Sequence, residues 1–257
     1  MLVVKIGGSL DGAQALVRDL AHHDGELVLV HGGGPRIAAM LERLGFETRF
    51  EDGLRVTPPE QMEVVEQVLT HVGKELADQL SRLGRLAVGL SGRDARLLAG
   101  EPQAPELGRV GRITAVNTSL IFALLNRHLT PVVSPIAVGS DGPLNVNADE
   151  AAAAVAGCLG EPLVYFTDVP GVLTEPGNPE SRVPVLAADE VEAMIENGTI
   201  SGGMIPKVRA ALHALKMGAP WVVIAPGEAG GLPRLLAGRL GTRIVGPAKR
   251  GPDSRTV

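Results

Sequence analysis

Aromatic residues are scarce in this sequence: only 2% of its 257 residues are Phe, Trp or Tyr. Proteins that bind single-stranded nucleic acid stack bases on aromatic side chains, so the scarcity argues against that class. The formal net charge of -5 also provides no attraction toward nucleic acid or an anionic membrane. We therefore expect neither a nucleic-acid partner nor a membrane partner.

Cysteine is nearly absent, and no apolar run reaches the length of a membrane-spanning helix. The one cysteine, Cys158, lies in the small-residue stretch AAAAVAGCLG, where we expect a buried core residue. A single thiol without a partner favours a reducing compartment. The N-terminal residues also lack the pattern of a signal peptide. These features predict a cytoplasmic protein.

Lysine is the minor basic residue, with five lysines among 24 basic residues. One of them, Lys5, stands inside the apolar run LVVKI, directly before two glycines. A second, Lys207, follows the glycine pair of SGGMIPK. Lysine provides a compact point charge where arginine provides a planar fork. The sequence therefore indicates two positions where a compact cation adjoins bare backbone.

Short apolar runs without polar alternation recur along the chain, with helical patterns between most of them: LVVKI, LVLVH, RLAVGL, PVVSPIAV, LVYFT and WVVIA. Runs of this kind are typical of strands buried on both faces of a sheet. The stretch PRIAAMLERLG predicts a helix that starts at Pro35 and ends before Gly45, with a buried stripe of Ile37, Met40, Leu41 and Leu44. The alternation predicts an α/β fold with a mostly parallel sheet.

Two regions depart from this alternation. Between residues 92 and 118 glycines are frequent and the helical period is lost, which predicts short hairpins at a sheet edge. The tail, residues 247–257, has the composition of a disordered segment.

Glycine loops join a buried strand to a helix at three places, GGSL after Lys5, HGGGP at 31–35 and SGGMIPK at 201–207. Backbone N–H groups in such loops lie at the positive end of the helix dipole, where anions bind. Neither G-x-x-x-x-G-K-[ST] nor a G-x-G-x-x-G that opens a βαβ unit is present. The loops therefore predict anion binding outside the two common nucleotide motifs.

Polar residues occur in two further stretches where a packed core would exclude them. In PLNVNADE, Asn147 with Glu150 fits a helix cap and Asp149 fits the first helical turn, whereas Asn145 has no such structural explanation. In EDGLRVTPPEQ, two prolines stiffen the chain after Arg55. A rigidly held arginine suits a carboxylate ligand, although an arginine on a solvated edge is equally consistent with this stretch.

Eight motifs occur in order between Lys5 and about Gly246: VKIGGS, VHGGGP, DGLRVTP, GLSGRD, PVVSPIAV, LNVNADEAAAA, TDVPGVL and ISGGMIPKV. As a set they resemble the amino acid kinase family, and within it the kinases that act on N-acetyl-L-glutamate. The resemblance implies a three-layer αβα sandwich around a mainly parallel sheet, with two lobes in one domain. Residues 1–160 would bind the amino acid and form a homodimer, and residues 161–246 would bind ATP.

The same resemblance implies roles for individual residues. Lys5 and Lys207 would stabilise the transferring phosphoryl group, and Asp149 would orient both lysines. The acceptor N-acetyl-L-glutamate would be bound by a set of four residues, Gly33, Gly34, Arg55 and Asn145. The phosphates of ATP would be bound by three glycines, Gly7, Gly8 and Gly203. The histidines show no metal-ligand spacing, so Mg2+ would be carried mainly by the nucleotide and no protein metal site is expected.

Two alternatives remain open from the sequence. One is a kinase of lysine biosynthesis that acts on acetylaminoadipate or on carrier-bound aminoadipate, although DGLRVTP favours acetylglutamate. The other is a regulatory nucleotide-binding module without turnover, against which the joint presence of Lys5, Asp149 and Lys207 argues.

Overall fold

The computed structural model describes residues 1–7, 14–175 and 177–247. Their strands are, in chain order, β1 Leu2–Ile6, β2 Leu27–His31, β3 Phe50–Glu51, β4 Leu54–Arg55, β5 Ala87–Ser91, β6 Leu98–Pro102, β7 Val110–Val116, β8 Thr130–Ser134, β9 Ile136–Gly139, β10 Gly142–Val146, β11 Leu163–Thr167, β12 Val185–Ala187, β13 Trp221–Pro226 and β14 Thr242–Val245.

The α-helices of the same residues are α1 Gln14–Ala21, α2 Gly34–Arg43, α3 Pro59–Arg82, α4 Thr118–Leu125, α5 Ala148–Leu159, α6 Ala188–Glu196, α7 Met204–Lys216 and α8 Gly231–Leu236. None of these described helices has both the length and the apolar character needed to cross a membrane. The predicted tail lies outside the described residues, apart from Pro247.

An eight-stranded sheet in the order β12-β14-β13-β11-β1-β2-β8-β5 forms the centre of the molecule. Every pairing in it is parallel except β13 with β14. Helices cover both faces, with α4, α5, α6 and α7 on one side and α1, α2, α3 and α8 on the other. The expected αβα sandwich around a mainly parallel sheet is confirmed.

The buried strands explain why the apolar runs lack polar alternation. In β1, Val3 packs into the core beneath α5, whereas Leu2 and Val4 pack into the core beneath α1 and α3. In β2, Val28 packs into the first of these cores and Leu29 into the second. Because both faces of each strand are covered, every position favours an apolar side chain.

The sequence pattern suggested hairpins at a sheet edge between residues 92 and 118, and this prediction is wrong. Strands β6 and β7 of this region instead join β9 and β10 in a small closed barrel. The run PVVSPIAV, which suggested one strand, is divided at Pro135 between β8 of the main sheet and β9 of the barrel. Proline has no N–H for a sheet hydrogen bond, and the chain changes sheets at this residue.

Three details of the helices also differ from expectation. Helix α2 starts at Gly34 rather than Pro35, and its Met40 and Leu44 are exposed to 36% and 55%. Cys158 is exposed rather than buried. The buried face of α5 ends at Ala156, and a position two residues further lies roughly 200° around the helix, toward solvent.

Candidate active site

A cavity of about 150 Å³ opens at the carboxyl end of β2 and brings together all four residues expected to bind the acceptor. Gly33 and Gly34 line it from the start of α2, Arg55 from β4 and Asn145 from β10. These residues are up to about a hundred positions apart in sequence, and the fold places them on one surface. The sequence singled out each of them without indicating how they meet.

Arg55 is held firmly at the edge of this cavity. Its side chain donates from Nη2 to the Gly34 carbonyl oxygen at 2.9 Å and from Nη1 to Thr48 Oγ1 at 3.3 Å. Its guanidinium carbon lies 4.8 Å from the ring centre of Phe50, its cross-strand partner in the β3–β4 hairpin. The turn of that hairpin, Asp52 and Gly53, has positive φ at both positions, as a tight two-residue hairpin requires.

The charge of Arg55 has no counter-ion among the described residues. The residue is only 8% exposed, and burial lowers the pKa of its guanidinium below the usual value. Within residues 1–7, 14–175 and 177–247, no carboxylate lies within ion-pair distance of it. A buried cation without an anionic partner is costly, and a bound carboxylate would reduce that cost. The cavity therefore suits an anionic ligand.

Asn145 is tied to the same strand segment as Arg55. Its Nδ2 donates to Thr57 Oγ1 at 2.9 Å, and Thr57 Oγ1 donates to the Arg55 carbonyl oxygen at 2.8 Å. Thr57 is fully buried, so this hydrogen-bond chain is shielded from water. It fixes the Asn145 amide relative to the backbone of Arg55.

Lys5 forms an ion pair beside this cavity. Its Nζ lies 2.9 Å from Asp149 Oδ1, and its side chain is 15% exposed. Asn147, which also lines the cavity, caps α5 by accepting from the N–H groups of Asp149 at 2.8 Å and Glu150 at 3.3 Å, so the predicted cap is confirmed. Tyr165 donates to the Asp149 carbonyl oxygen at 3.0 Å. Asp149, whose carboxylate contacts Lys5, is thus held at its backbone N–H by Asn147 and at its carbonyl oxygen by Tyr165.

Lys207 has a different partner from the one expected. It lies in the first turn of α7, and its Nζ is 3.4 Å from Asp168 Oδ1 rather than beside Asp149. A hydrogen bond from its own backbone, and then the charge of Lys207, hold the pKa of Asp168 below its usual value. Asp168 was not assigned from the sequence, although TDVPG directly after a buried strand is a signal of a residue at the carboxyl edge of the sheet.

The glycines expected to bind phosphate occupy two described positions. Gly7 directly follows β1, where a Cβ would lie 3.5 Å from Lys5 Nζ. Gly203 precedes α7, with nothing within 4 Å of a Cβ. Gly8 lies outside the described residues. Gly7 therefore lies at the end of the strand that carries Lys5, and Gly203 lies at the start of the helix that carries Lys207.

The two lysines, their aspartate partners and Gly7 lie near a switch point of the sheet, where the chain leaves neighbouring strands in opposite directions. The neighbouring strands β1 and β11 lie in the middle of the sheet; from β1 the chain continues to β2 on one side, whereas from β11 it continues to β12 at the edge on the other side. Gly7 directly follows β1 and Asp168 directly follows β11, the two strands from which the chain leaves toward opposite sides of the sheet. Open α/β sheets bind ligands at this kind of crevice, at the carboxyl ends of the strands.

Residues 1–225 match the family model described as the amino acid kinase family. The chain belongs to the amino acid kinase family. Its relatives include a protein named acetylglutamate kinase from Thermus thermophilus, 58% identical over 241 residues, which cover 94% of this chain and 96% of the relative. Another, from Deinococcus radiodurans and of the same name, is 50% identical over 252 residues, with 95% and 100% coverage.

Solved structures share the fold. The protein smu.665 from Streptococcus mutans UA159 matches with a TM-score of 0.77 and 29% identity, covering 95% of this chain and 98% of that one. N-acetylglutamate synthase from Neisseria gonorrhoeae, complexed with coenzyme A and N-acetyl-glutamate, matches with a TM-score of 0.79 and 25% identity. The match covers 95% of this chain and 59% of the synthase.

The described carboxylates that adjoin the two lysines contact those lysines. In the described part of the chain, no group of three or more His, Cys, Asp or Glu side chains could hold a metal ion. Asp149 and Asp168, the carboxylates that adjoin the lysines, each contact a lysine instead.

Proposed function

We propose that this kinase transfers the γ-phosphoryl group of ATP to the side-chain carboxylate of N-acetyl-L-glutamate. The product would be N-acetyl-L-glutamyl 5-phosphate, an intermediate of arginine biosynthesis. The observation that carries the proposal is the buried Arg55, which has no carboxylate partner in the described part of the chain and lines a cavity that adjoins the Lys5–Asp149 pair. The names of its closely similar relatives agree with this substrate.

The acceptor would lie in the cavity between α2, β4 and β10. Arg55 would bind its α-carboxylate through two parallel N–H donors. Asn145, held by Thr57, would bind the acetylated end. Gly33 and Gly34 would present backbone N–H groups to the acceptor from the start of α2.

The chemistry requires charge stabilisation and no general base. A carboxylate is already ionised at neutral pH and attacks phosphorus directly. The barrier arises from repulsion between the carboxylate and the phosphates, and from charge that spreads over the phosphoryl oxygens in the transition state. One pair of unit charges at 4 Å contributes roughly 4 kcal/mol at an effective dielectric of 20. Lys5 and Lys207 would supply this stabilisation as compact cations.

The remaining parts of the assignment follow from the same arrangement. Asp149 would orient Lys5, which it contacts at 2.9 Å. Its orientation of Lys207 stays a prediction, since Lys207 contacts Asp168 here. Gly7, Gly8 and Gly203 would bind the phosphates of ATP, whose Mg2+ the nucleotide itself would carry.

Lobe roles and assembly also belong to this proposal. Residues 1–160 would bind the acceptor and form a homodimer, and residues 161–246 would bind ATP. Sedimentation velocity should give twice the mass of one chain, and a monomer at micromolar concentration would contradict the dimer.

A hydroxamate assay tests the reaction because hydroxylamine traps an acyl phosphate directly. We expect an ATP-dependent signal with acetylglutamate that exceeds the signals with glutamate, aspartate and acetylaminoadipate. A larger signal with acetylaminoadipate would favour the lysine-pathway alternative. No signal with any acceptor would favour a regulatory module without turnover.

The variant Arg55→Lys tests the acceptor site within that assay. A clamp on the non-reacting carboxylate acts on the ground state and the transition state alike, so its loss should raise KM for acetylglutamate. We expect kcat/KM to fall about ten- to a hundredfold, since a charge-assisted bidentate contact is replaced by one point charge. Arg49→Lys is the matched control, because Arg49 lies just before the same hairpin and its side chain is 67% exposed. A rise in KM for ATP instead would assign Arg55 to the nucleotide.

A further inference from the structure

A buried polar group lies beneath the cavity, outside the residues assigned to the reaction. His31, the last residue of β2, is 1% exposed. Its Nδ1 lies 2.9 Å from the Gly32 carbonyl oxygen, and its Nε2 lies 2.9 Å from Ser134 Oγ at the end of β8. The imidazole thus connects the ends of two neighbouring strands.

Counting donors and acceptors determines the tautomer of this imidazole. A carbonyl oxygen only accepts, so Nδ1 must carry a proton. Burial lowers the pKa of His31 to about 4, so the ring is neutral near pH 7 and Nε2 is an acceptor. Ser134 Oγ can donate its single proton to Nε2 at 2.9 Å or to the Leu69 carbonyl oxygen at 3.1 Å. We assign the proton to Nε2 because an unprotonated Nε2 needs a donor at this distance.

Helix α3 approaches closely at the same point. A Cβ on Gly73 would lie 2.8 Å from His31 Nε2 and 2.9 Å from Ser134 Oγ, so the absence of a side chain makes room for the pair. Leu69, one turn earlier on α3, lines the cavity together with Gly32. The His31–Ser134 pair therefore contacts two residues that line the cavity, Gly32 and Leu69, from the side that faces the core.

The hydrogen bond to Gly32 has a directional consequence. In a trans peptide, the carbonyl of one residue and the N–H of the next point in opposite directions. The Gly32 carbonyl points toward His31, so the Gly33 N–H points away from the core. Gly33 and Gly34 precede the first hydrogen bond of α2, so their N–H groups need partners from outside the helix.

We propose that His31 is a positioning residue that fixes the Gly32–Gly33 peptide and so directs the N–H group of Gly33 at the bound acceptor. His31 contacts neither substrate itself. The inference rests on the proposed function, since it assigns the cavity to the acceptor. It adds the neutral His31–Ser134 pair as the reason that the glycine loop keeps one conformation.

Kinetics of two substitutions at one position test this role. His31→Leu removes the donor to Gly32, whereas the side-chain amide of His31→Asn can place an N–H near the former Nδ1. We expect His31→Leu to raise KM for acetylglutamate at least about tenfold, the loss of roughly one buried hydrogen bond, with KM for ATP changed less than about twofold. His31→Asn should restore most of the loss. Thermal unfolding of each variant verifies that it is folded.

A merely structural role gives a different result. If His31 only stabilises the fold, His31→Leu lowers the active fraction, so apparent kcat falls while both KM values stay unchanged. That outcome, or failure of His31→Asn to restore KM, would overturn the inference.

Nitrogen NMR of the histidine rings separates failure of this inference from failure of the proposed function. At pH 7, the ring resonances that disappear in His31→Asn should belong to a neutral imidazole protonated at Nδ1. An Nε2-protonated ring or an imidazolium would overturn the inference whatever the substrate. Absence of acyl phosphate in the wild type would refute the proposed function, and the ring spectra would then decide the inference alone.

Discussion

The two lysines at the candidate site differ in how closely they are surrounded. Lys5 extends from a strand paired on both sides, and only 15% of its side chain is exposed. Lys207 lies at the start of a helix with 29% of its side chain exposed. Gly7 also lies against the side chain of Lys5, since a Cβ on Gly7 would be 3.5 Å from Lys5 Nζ. A larger cation is therefore less easily accommodated at Lys5.

Replacing Lys5 by arginine should reduce kcat. The charge is kept, but the planar guanidinium cannot occupy the space of the ammonium beside Asp149. We expect kcat to fall at least about a hundredfold, as it does when an electrostatic donor to the transition state is lost. Steady-state hydroxamate kinetics measure this effect. Lys216→Arg, at the exposed end of α7, is the control. Near-normal kcat in Lys5→Arg would remove Lys5 from the reaction.

His31 should make the stability of the protein depend on pH. Its pKa is about 4 in the folded protein and 6.5 as a reference for the unfolded chain. Between these values the unfolded chain binds a proton that the folded protein does not, so the free energy of unfolding decreases as pH falls from 6.5 to 4. We expect the wild type to lose about 2 kcal/mol more than His31→Asn between pH 7 and pH 5. Urea unfolding at both pH values measures this, and equal losses would show that the ring titrates normally.

At the scale of elements, α5 links the acceptor cavity to the lysines. Its N-cap, Asn147, lines the cavity, and its second residue, Asp149, contacts Lys5. Its alanine-rich face is completely buried between Ala151 and Ala156. Near its end it meets the end of α7 so closely that a Cβ on Gly157 would lie 2.5 Å from Met217 Cβ. The two helices that carry Asp149 and Lys207 are therefore packed against each other.

Removing the cap of α5 should affect both stability and catalysis. Asn147→Ala leaves two backbone N–H groups without their acceptor, which costs about 1 kcal/mol in the free energy of unfolding. It also loosens Asp149, so kcat should fall. Urea unfolding and hydroxamate kinetics measure the two effects, and Asn147→Ser should retain most of both. Asn178→Ala is the control, because Asn178 caps only a three-residue 3-10 turn at 179–181. Unchanged kcat in Asn147→Ala would separate the cap from the reaction.

For the whole molecule, ligand binding should appear as increased stability. A ligand that binds only the folded state at about a hundred times its Kd adds about 2.7 kcal/mol to the free energy of unfolding. We expect acetylglutamate to raise Tm of the wild type without ATP, and Arg55→Lys to need a higher concentration for the same shift. Glutamate, which lacks the acetyl group, should produce a smaller shift. Equal shifts with both compounds would contradict selection at Asn145.

Much of the fold and the site could be predicted from local patterns. Continuous apolar runs indicate strands covered on both faces, because burial selects every side chain along them. Glycine loops before helices indicate anion sites, because only the local chain determines where N–H groups are left free. Asn145 stands out because its local surroundings give no structural reason for it, and Arg55 because the chain around it is stiff. All of these signals are carried by short stretches of sequence.

The tertiary structure decided how distant residues meet. It paired Lys207 with Asp168, closed β6, β7, β9 and β10 into a barrel and exposed Cys158. It also placed His31 against Ser134, 103 residues later in the chain. Local sequence determines periodicity, caps and turns, because those depend on neighbours within a few residues. Contacts between distant side chains depend on strand order and on the packing of helices over the sheet, which only the complete fold specifies.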